Sequence, residues 1–443
     1  MKIWKFGGTS VGAPDRMHSI AQLIHDGERK IVVLSAVSGT TNALVEISAL
    51  ALKGEFSVSL EKVKALYEKY VPFVESLFSS ENGKKEGAAI LEEHFGLLKD
   101  HVKIGFSAVE EKLFLAQGEL ISTKLFTAYL NEINRKAVLL PALDFMKIDE
   151  DSEPVLAFTE EKLSALLQRH SDVGIFITQG YICRNAKGEV DNLQRGGSDY
   201  TATLIGAALR ADEVQIWTDI DGIHNNDPRI VKRTYPIAEV SFDEAAELAY
   251  FGAKILHPTC IRPTQDRNIP VRLLNTMAPK EKGTVITQKG SGSAFTAVAA
   301  KDNITAIKIK STRMLLAHGF LRRVFEVFEK YKTSVDMITT SEVAVSLTID
   351  NDAKLDHIVR ELSEFSTVEV DKNQSIVCVV GNFAADKPGI ALKVFEALRD
   401  ISIRMISYGG SENNISIVID TQFKNEALNS INERVFFAET VAV

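Results

Sequence analysis

Short apolar runs recur along the first two-thirds of the chain, at residues 31–34, 137–140, 173–177, 214–217 and 269–274, each with the length and β-branched content of a buried strand. Between many of them apolar positions fall at helical spacing, over residues 15–25, 201–209 and 242–251. Strands apolar on both faces, alternating with amphipathic helices, predict an α/β fold with an open, mostly parallel sheet sandwiched by helices. From residue 52 to 131 the pattern becomes nearly continuous helical period, rich in Glu and Lys and broken around 79–87. That stretch predicts a helical excursion from the sheet, forming one wall of a cleft.

Gly290-Ser291-Gly292-Ser293 is a flexible composition followed by a new apolar run at 304–309, which predicts a domain boundary near residue 295. Beyond it the chain repeats. A shift of 70 positions superposes Gly319 on Gly389, Val324-Phe325-Glu326 on Val394-Phe395-Glu396, Ser341-Glu342 on Ser411-Glu412 and Ile349-Asp350 on Ile419-Asp420. Each copy reads strand, Gly-led helix, strand, strand, helix, so the tail is expected to hold two small α+β modules on one plan.

With 443 residues the chain is long enough for about two to three domains. The formal charge is −8 with Lys and Arg scattered, which excludes the basic stripe of a nucleic-acid binder. No uninterrupted apolar run of about 18 residues exists, and Met1 to Gly8 lacks the apolar core of a signal peptide, so no membrane partner and a cytoplasmic location are expected. Cys183, Cys260 and Cys378 show no metal-ligand or redox spacing and read as buried packing thiols.

Several motifs carry chemistry. Lys5-Phe6-Gly7-Gly8-Thr9-Ser10 follows the opening strand, where paired glycines let backbone N–H groups approach an anion and Lys5 adds a charge. In a Walker A loop the lysine follows the glycines, and Gly-Gly turns also serve structure alone. Ser35-Ala36-Val37-Ser38-Gly39-Thr40-Thr41 is a strand end breaking into hydroxyl residues, either a ligand-binding edge or a helix cap. In Gln117-Gly118-Glu119-Leu120-Ile121-Ser122-Thr123 a carboxylate sits in apolar helical context and needs a partner such as a substrate ammonium group.

Arg195-Gly196-Gly197-Ser198-Asp199-Tyr200-Thr201-Ala202 delivers an arginine suited to a bidentate carboxylate pair and a Ser-Asp pair at a helix start; a Ser/Asp cap beside a surface arginine is the structural alternative. Trp217-Thr218-Asp219-Ile220-Asp221-Gly222, with Asp227-Pro228-Arg229 beyond it, is an acidic turn at a strand's carboxyl end. It suits ribose hydroxyls, adenine or hydrated magnesium, or is simply a turn. Phe251-Gly252-Ala253-Lys254-Ile255-Leu256-His257-Pro258 offers a second lysine for phosphates, or a helix C-terminal charge. The set is rich in Lys, Arg, Gly and hydroxyls but holds no Ser-His or Cys-His pair, which suits phosphoryl transfer to an already ionised carboxylate.

Together and in this order, these motifs resemble the aspartate kinase family across the whole chain, most closely its monofunctional, lysine-sensitive class. The resemblance implies an amino-acid kinase (carbamate-kinase-like) domain over 1–295 and two ACT modules, 303–374, completed by 433–443, and 375–432. It implies phosphorylation of L-aspartate by ATP with Mg2+ to 4-phospho-L-aspartate, the first step toward lysine, threonine and methionine. Lys5, Gly7, Gly8 and Thr9 would meet the γ-phosphate; Thr9, Ser35, Thr41, Glu119, Arg195 and Ser198 would hold aspartate, Glu119 by its amino group and Arg195 by its α-carboxylate. Asp199 would organise the lysine and phosphate centre, with Thr218, Asp219, His224, Arg229 and Lys254 on the nucleotide. His224 stands where many relatives have tyrosine.

In the tail, Met314, Gly319, Phe320, Leu321, Ser334, Val335, Asp336, Thr340, Ser341 and Glu342 resemble an effector pocket for lysine, with Ala317 where lysine-sensitive relatives can carry serine. Pairing of ACT modules across subunits implies a homodimer or larger assembly. Two alternatives stay open. A related kinase could act on glutamate, acetylglutamate or a nucleotide monophosphate, and a catalytically inert protein could sense amino acids through its tail.

Overall fold

The computed structural model describes residues 1–104, 106–193, 196–252, 256–310, 318–383 and 388–437. Two compact units emerge, Met1–Gly222 with Leu256–Gly290, and Ile223–Ile255 with Ser291–Val443. Residues 223–255, counted with the kinase half on sequence grounds, thus cluster with the tail.

The first unit runs from β1 (Lys2–Phe6) through α1 (Pro14–Leu23) to β2 (Lys30–Leu34). Four helices follow: α2 (Thr40–Leu52), α3 (Phe56–Leu77), α4 (Glu81–Ile104) and α5 (Ala108–Glu132). Next come β3 (Ala137–Leu139), α6 (Leu156–Arg169), β4 (Ile175–Gln179), the hairpin β5 (Ile182–Arg184) and β6 (Val190–Asn192), α7 (Gly197–Leu209) and β7 (Glu213–Thr218). β8 (Glu239–Ser241) and α8 (Phe242–Tyr250) belong to the second unit; α9 (Pro258–Asp266), β9 (Val271–Asn275) and β10 (Thr284–Thr287) return to the first.

The strands of the first unit form a sheet in the order β3-β4-β2-β1-β7-β9-β10, parallel throughout except for β10. The fully buried β2 shows why a parallel strand reads as an unbroken apolar run. Its one charged residue, Lys30, hydrogen-bonds to the Ile24 carbonyl, pairs with Asp26 and lies over the Trp4 ring. A buried ammonium is tolerated only with such partners.

The helical excursion is α3, α4 and α5, whose Val63, Leu66, Tyr70, Val74, Phe95 and Leu98 join the core beneath the sheet. The break expected at 79–87 is shorter, because α4 already starts at Glu81 and carries Gly83 and Gly87 inside it. A Cβ at Gly87 would stand 2.6 Å from Val74 Cγ1 and 2.7 Å from Phe78, so this glycine lets two helices touch instead of ending one.

The tail of the second unit holds β11 (Ala297–Lys310), α10 (Phe320–Lys330), β12 (Ile338–Thr340), β13 (Ala344–Ile349), α11 (Leu355–Ser363) and β14 (Thr367–Val380). It continues with α12 (Ile390–Ala397), β15 (Ile403–Tyr408), β16 (Asn414–Asp420) and α13 (Lys424–Ile431). One antiparallel sheet, β12-β13-β11-β14-β16-β15, serves both copies of the repeat. The long strands β11 and β14 pair along their length with a register shift between Lys301 and Ala306, so one half of each belongs to each module.

Residues 297–301 thereby supply a strand to the second module's half of the sheet. The segment expected to complete the first module, 433–443, is a π-helical turn as far as Phe436, and its last six residues lie outside the described residues. The repeat holds in detail. Gly319 and Gly389 start α10 and α12 with the same φ of +86°. Ile307, Val324, Val345, Leu347 and Ile349 fill one core at the positions where Val377, Val394, Ile415, Ile417 and Ile419 fill the other.

Candidate active site

β1 is the strand from which the chain first turns to β2 on one side and later to β7 on the other, and in open parallel sheets ligands bind outside the carboxyl ends of strands at such a switch. The loops after β1, β2 and β7 carry Lys5 to Ser10, Ser35 to Thr41 and Thr218 to Asp219. They are tied together. Gly7 N–H donates to the Trp217 carbonyl (3.2 Å), Ser35 N–H to the Phe6 carbonyl (3.2 Å), and Ser10 Oγ lies 2.7 Å from Thr276 Oγ1, whose own N–H donates to the Thr218 carbonyl (2.8 Å).

Lys5, at the end of β1, is buried, and its Nζ pairs with Asp199 Oδ1 at 2.6 Å. A Cβ on Gly7 would reach 3.5 Å from that Nζ, and one on Gly8 would reach 3.0 Å from the Ala36 carbonyl oxygen, so side chains there would fill the space beside the ammonium. Thr9 is exposed, its carbonyl accepting from the Arg16 guanidinium.

Asp199 lies in the first turn of α7, which begins at Gly197, four residues before the expected 201. Gly196, at φ +69°, is the N-cap, and a Cβ there would lie 1.7 Å from Cys260 Sγ, so no other residue fits. The earlier start puts Ser198 and Asp199 at the positive end of the α7 dipole. Ser35 Oγ donates to Ser198 Oγ at 2.9 Å, joining the β2 loop to the α7 start.

Glu119, on α5, is 3 % exposed. Its Oε1 accepts from Ala36 N–H at 3.2 Å, while Oε2 is buried with no hydrogen-bond partner among the described residues. Burial pushes the carboxyl up to about 7, the Ala36 amide offsetting part of that. Thr41 lies half-buried in the first turn of α2, beside Thr40, whose hydroxyl meets the buried Tyr70 hydroxyl at 2.8 Å. The first unit therefore gathers an ion-paired lysine, a helix N-terminus with hydroxyls, and a buried carboxylate with a vacant oxygen.

On the nucleotide side, Thr218 Oγ1 donates to Asp219 Oδ1 at 3.2 Å at the exposed end of β7. His224 and Arg229 belong to the second unit. There His224 Nδ1 lies 2.9 Å from Thr234 Oγ1, and the largely exposed Arg229 forks onto Asp227 through Nε (2.9 Å) and Nη2 (2.7 Å). Arg195, Lys254 and Met314 lie outside the described residues.

Residues 1–275 match the amino acid kinase family and residues 377–435 the ACT domain. The lysine-sensitive aspartokinase 3 of Escherichia coli K12 is 34 % identical over 98 % of this chain and 98 % of its own. The chain belongs to the aspartokinase family. Two crystal structures of E. coli aspartokinase III agree. The complex with aspartate and ADP (R-state) has a TM-score of 0.81 at 34 % identity, covering 98 % of this chain and 100 % of the other. The complex with lysine and aspartate (T-state) has a TM-score of 0.80 at 35 % identity over 98 % and 99 %.

In this aspartokinase-family chain the residues suggested for an effector fall in and around the first tail module. Gly319 caps α10, Phe320 is buried in the module core and Leu321 is 39 % exposed. Ser334, Thr340, Ser341 and Glu342 are exposed and Val335 is half-buried. Asp336 has its Oδ1 held by Tyr250 Oη at 2.7 Å and Lys301 Nζ at 2.9 Å.

Some supporting residues were given no role of their own by the sequence reading. Tyr70, buried behind Thr40, carries no signal beyond helical spacing. Gln179 bridges Thr123 Oγ1 and Ala142 N–H at 2.8 Å each, and Ser122 Oγ donates to the Ser35 carbonyl (2.8 Å). Ser122 was legible as a hydroxyl inside the Glu119 motif.

Proposed function

We propose that this aspartokinase-family chain transfers the γ-phosphoryl group of ATP to the side-chain carboxylate of L-aspartate, opening the route to lysine, threonine and methionine, and that lysine inhibits it through the ACT modules. The observation that carries the reading is the Lys5–Asp199 pair at the N-terminus of α7, within the first unit that also holds Glu119. The acceptor carboxylate is ionised near neutral pH, so no general base is needed, and positioning with charge neutralisation remains.

Lys5, held by Asp199, meets the transferring phosphoryl group, and the backbone at Gly7 and Gly8 leaves room for it. Ser35, Thr41 and Ser198 position the acceptor, Arg195 binds its α-carboxylate, and Glu119 offers its vacant oxygen to the ammonium group. Thr218, Asp219, His224, Arg229 and Lys254 serve the nucleotide. Mg2+, when bound with the nucleotide, would supply charge neutralisation at the phosphates.

Leu321, Phe325, Val343, Leu392, Ile406 and Tyr408 are exposed apolar side chains of the tail modules, in keeping with a homo-oligomer formed there. Three buried cysteine thiols suit the cytoplasm, and no helix among the described residues is long and apolar enough to cross a membrane. The test is ADP release from purified protein with MgATP and L-aspartate or L-glutamate, with and without L-lysine or L-threonine. Aspartate-dependent release suppressed by lysine is expected; no release with either acceptor would leave an inert sensor.

A further inference from the structure

Asp336 precedes β12 and its side chain is 1 % exposed. Oδ1 takes the Tyr250 hydroxyl (2.7 Å) and the Lys301 ammonium (2.9 Å), whereas Oδ2 is buried with no hydrogen-bond partner among the described residues. Lys301 also pairs with Asp350 at 2.8 Å and lies 4.5 Å from the centre of the Tyr250 ring. One ammonium is thus shared by two carboxylates and an aromatic face, while the Asp336 carboxylate stays half-satisfied at Oδ2.

Tyr250 is the last residue of α8, four positions before Lys254 in the chain. The same helix is tied to the tail at two further points. Glu244 accepts from Thr296 Oγ1 (2.5 Å), and Glu247 from Ser411 Oγ (2.9 Å), the second copy's counterpart of Ser341. A Cβ on Gly252 would lie 2.2 Å from the Ala300 carbonyl oxygen, next to Lys301, so the chain leaving α8 rests against β11 itself. The end of α8 and the Phe251-Gly252 step after it are therefore anchored on the strand that carries Lys301.

We propose that Lys301 is a built-in stand-in for the effector's ammonium group at Asp336, and that Tyr250 conveys to the end of α8 which ammonium the carboxylate holds. This rests on the reading of Asp336 as an effector residue. An incoming ammonium group reaches the vacant Oδ2, repels the Lys301 ammonium toward Asp350, and draws the Asp336 charge away from the Tyr250 hydroxyl. The hydrogen bond that fixes the end of α8 weakens, and with it the hold on Phe251 and Gly252 that follow. Tyr250 and Lys301 are positioning residues in this scheme; neither touches substrate.

The experiment compares full-length wild type with Lys301→Met, Lys301→Arg and Tyr250→Phe, each checked by circular dichroism melting. L-lysine binding is measured by calorimetry and inhibition by ADP release. Lys301→Met should bind lysine about tenfold or more tightly, because a competing charge-assisted bond is gone, while Lys301→Arg stays near wild type. Tyr250→Phe, which lacks that hydrogen bond from the outset, should bind lysine within about threefold of wild type, turn over several-fold more slowly without effector and respond little to added lysine, while basal turnover of the two Lys301 variants stays unchanged. Unaltered lysine affinity in Lys301→Met, or full inhibition of Tyr250→Phe, overturns the relay and leaves the effector site standing. If wild type binds no lysine, the effector reading falls and takes the relay with it.

Discussion

Replacing Glu119 by Gln separates the energy of the fold from that of the site. Burial holds the Glu119 carboxyl at about 7 instead of its ordinary 4.5. At about 1.4 kcal/mol for each pH interval of one, the ionised form therefore costs the folded chain about 3 kcal/mol. The folded carboxyl keeps its proton where the unfolded one has lost it, so stability falls as pH rises from 4.5 to 7 and levels off above. Gln is neutral throughout and still accepts the Ala36 amide, so Glu119→Gln should melt several degrees higher at pH 8 and no higher at pH 4.5.

Catalysis should move the other way. Ionised Glu119 is the partner for the aspartate ammonium, and at pH 6 only about one molecule in ten has it ionised before substrate binds. Wild-type kcat/KM for aspartate should therefore climb about fivefold between pH 6 and 7, reach about tenfold by pH 8 and flatten above. The variant should lose roughly 10- to 100-fold at pH 8, the value of a hydrogen bond to a charged group, and show no rise near pH 7. The assays are ADP release across pH and melting by circular dichroism. A variant that keeps the wild-type pH rise, or gains the same melting temperature at pH 4.5 as at pH 8, would refute the argument.

Two further outcomes follow from the same geometry. Lys5→Met should lower kcat by about 10²- to 10³-fold with little change in the aspartate KM, and Asp199→Asn should do so less severely because it frees rather than removes the ammonium; equal loss in KM and kcat would place Lys5 on the substrate instead. Gly196→Ala should abolish activity and destabilise the fold, since φ is +69° and the new Cβ would overlap Cys260 Sγ. Adding Cys260→Ala should restore part of the stability and little of the turnover, and full restoration would show that the clash, not the backbone, sets the α7 start.

The parallel sheet was legible because strands buried on both faces leave unbroken apolar runs, and β2, β3, β4, β7 and β9 lie within two residues of the runs that announced them. The start of α7 was not, because its N-cap is a glycine in the left-handed region and not the Ser or Asp that usually marks a helix start. Ser198 and Asp199 look like caps and are instead first-turn residues facing the β1 and β2 loops. Gly83 and Gly87 misled in the opposite sense, reading as a break where close helix packing requires them.

In the tail, the repeat could be found by shifting the sequence against itself, but the sharing of strands could not. Lys301-Asp302-Asn303 interrupts the apolar pattern, and Asn303, at φ +60°, lies where the register slips, so the first half of β11 does not look like a strand. That half carries Lys301 toward Asp336, a contact no local pattern encodes. Local periodicity records which faces are buried; which charges meet depends on strand order and register, and the Lys5–Asp199 and Lys301–Asp336 pairs both depend on that second kind of information.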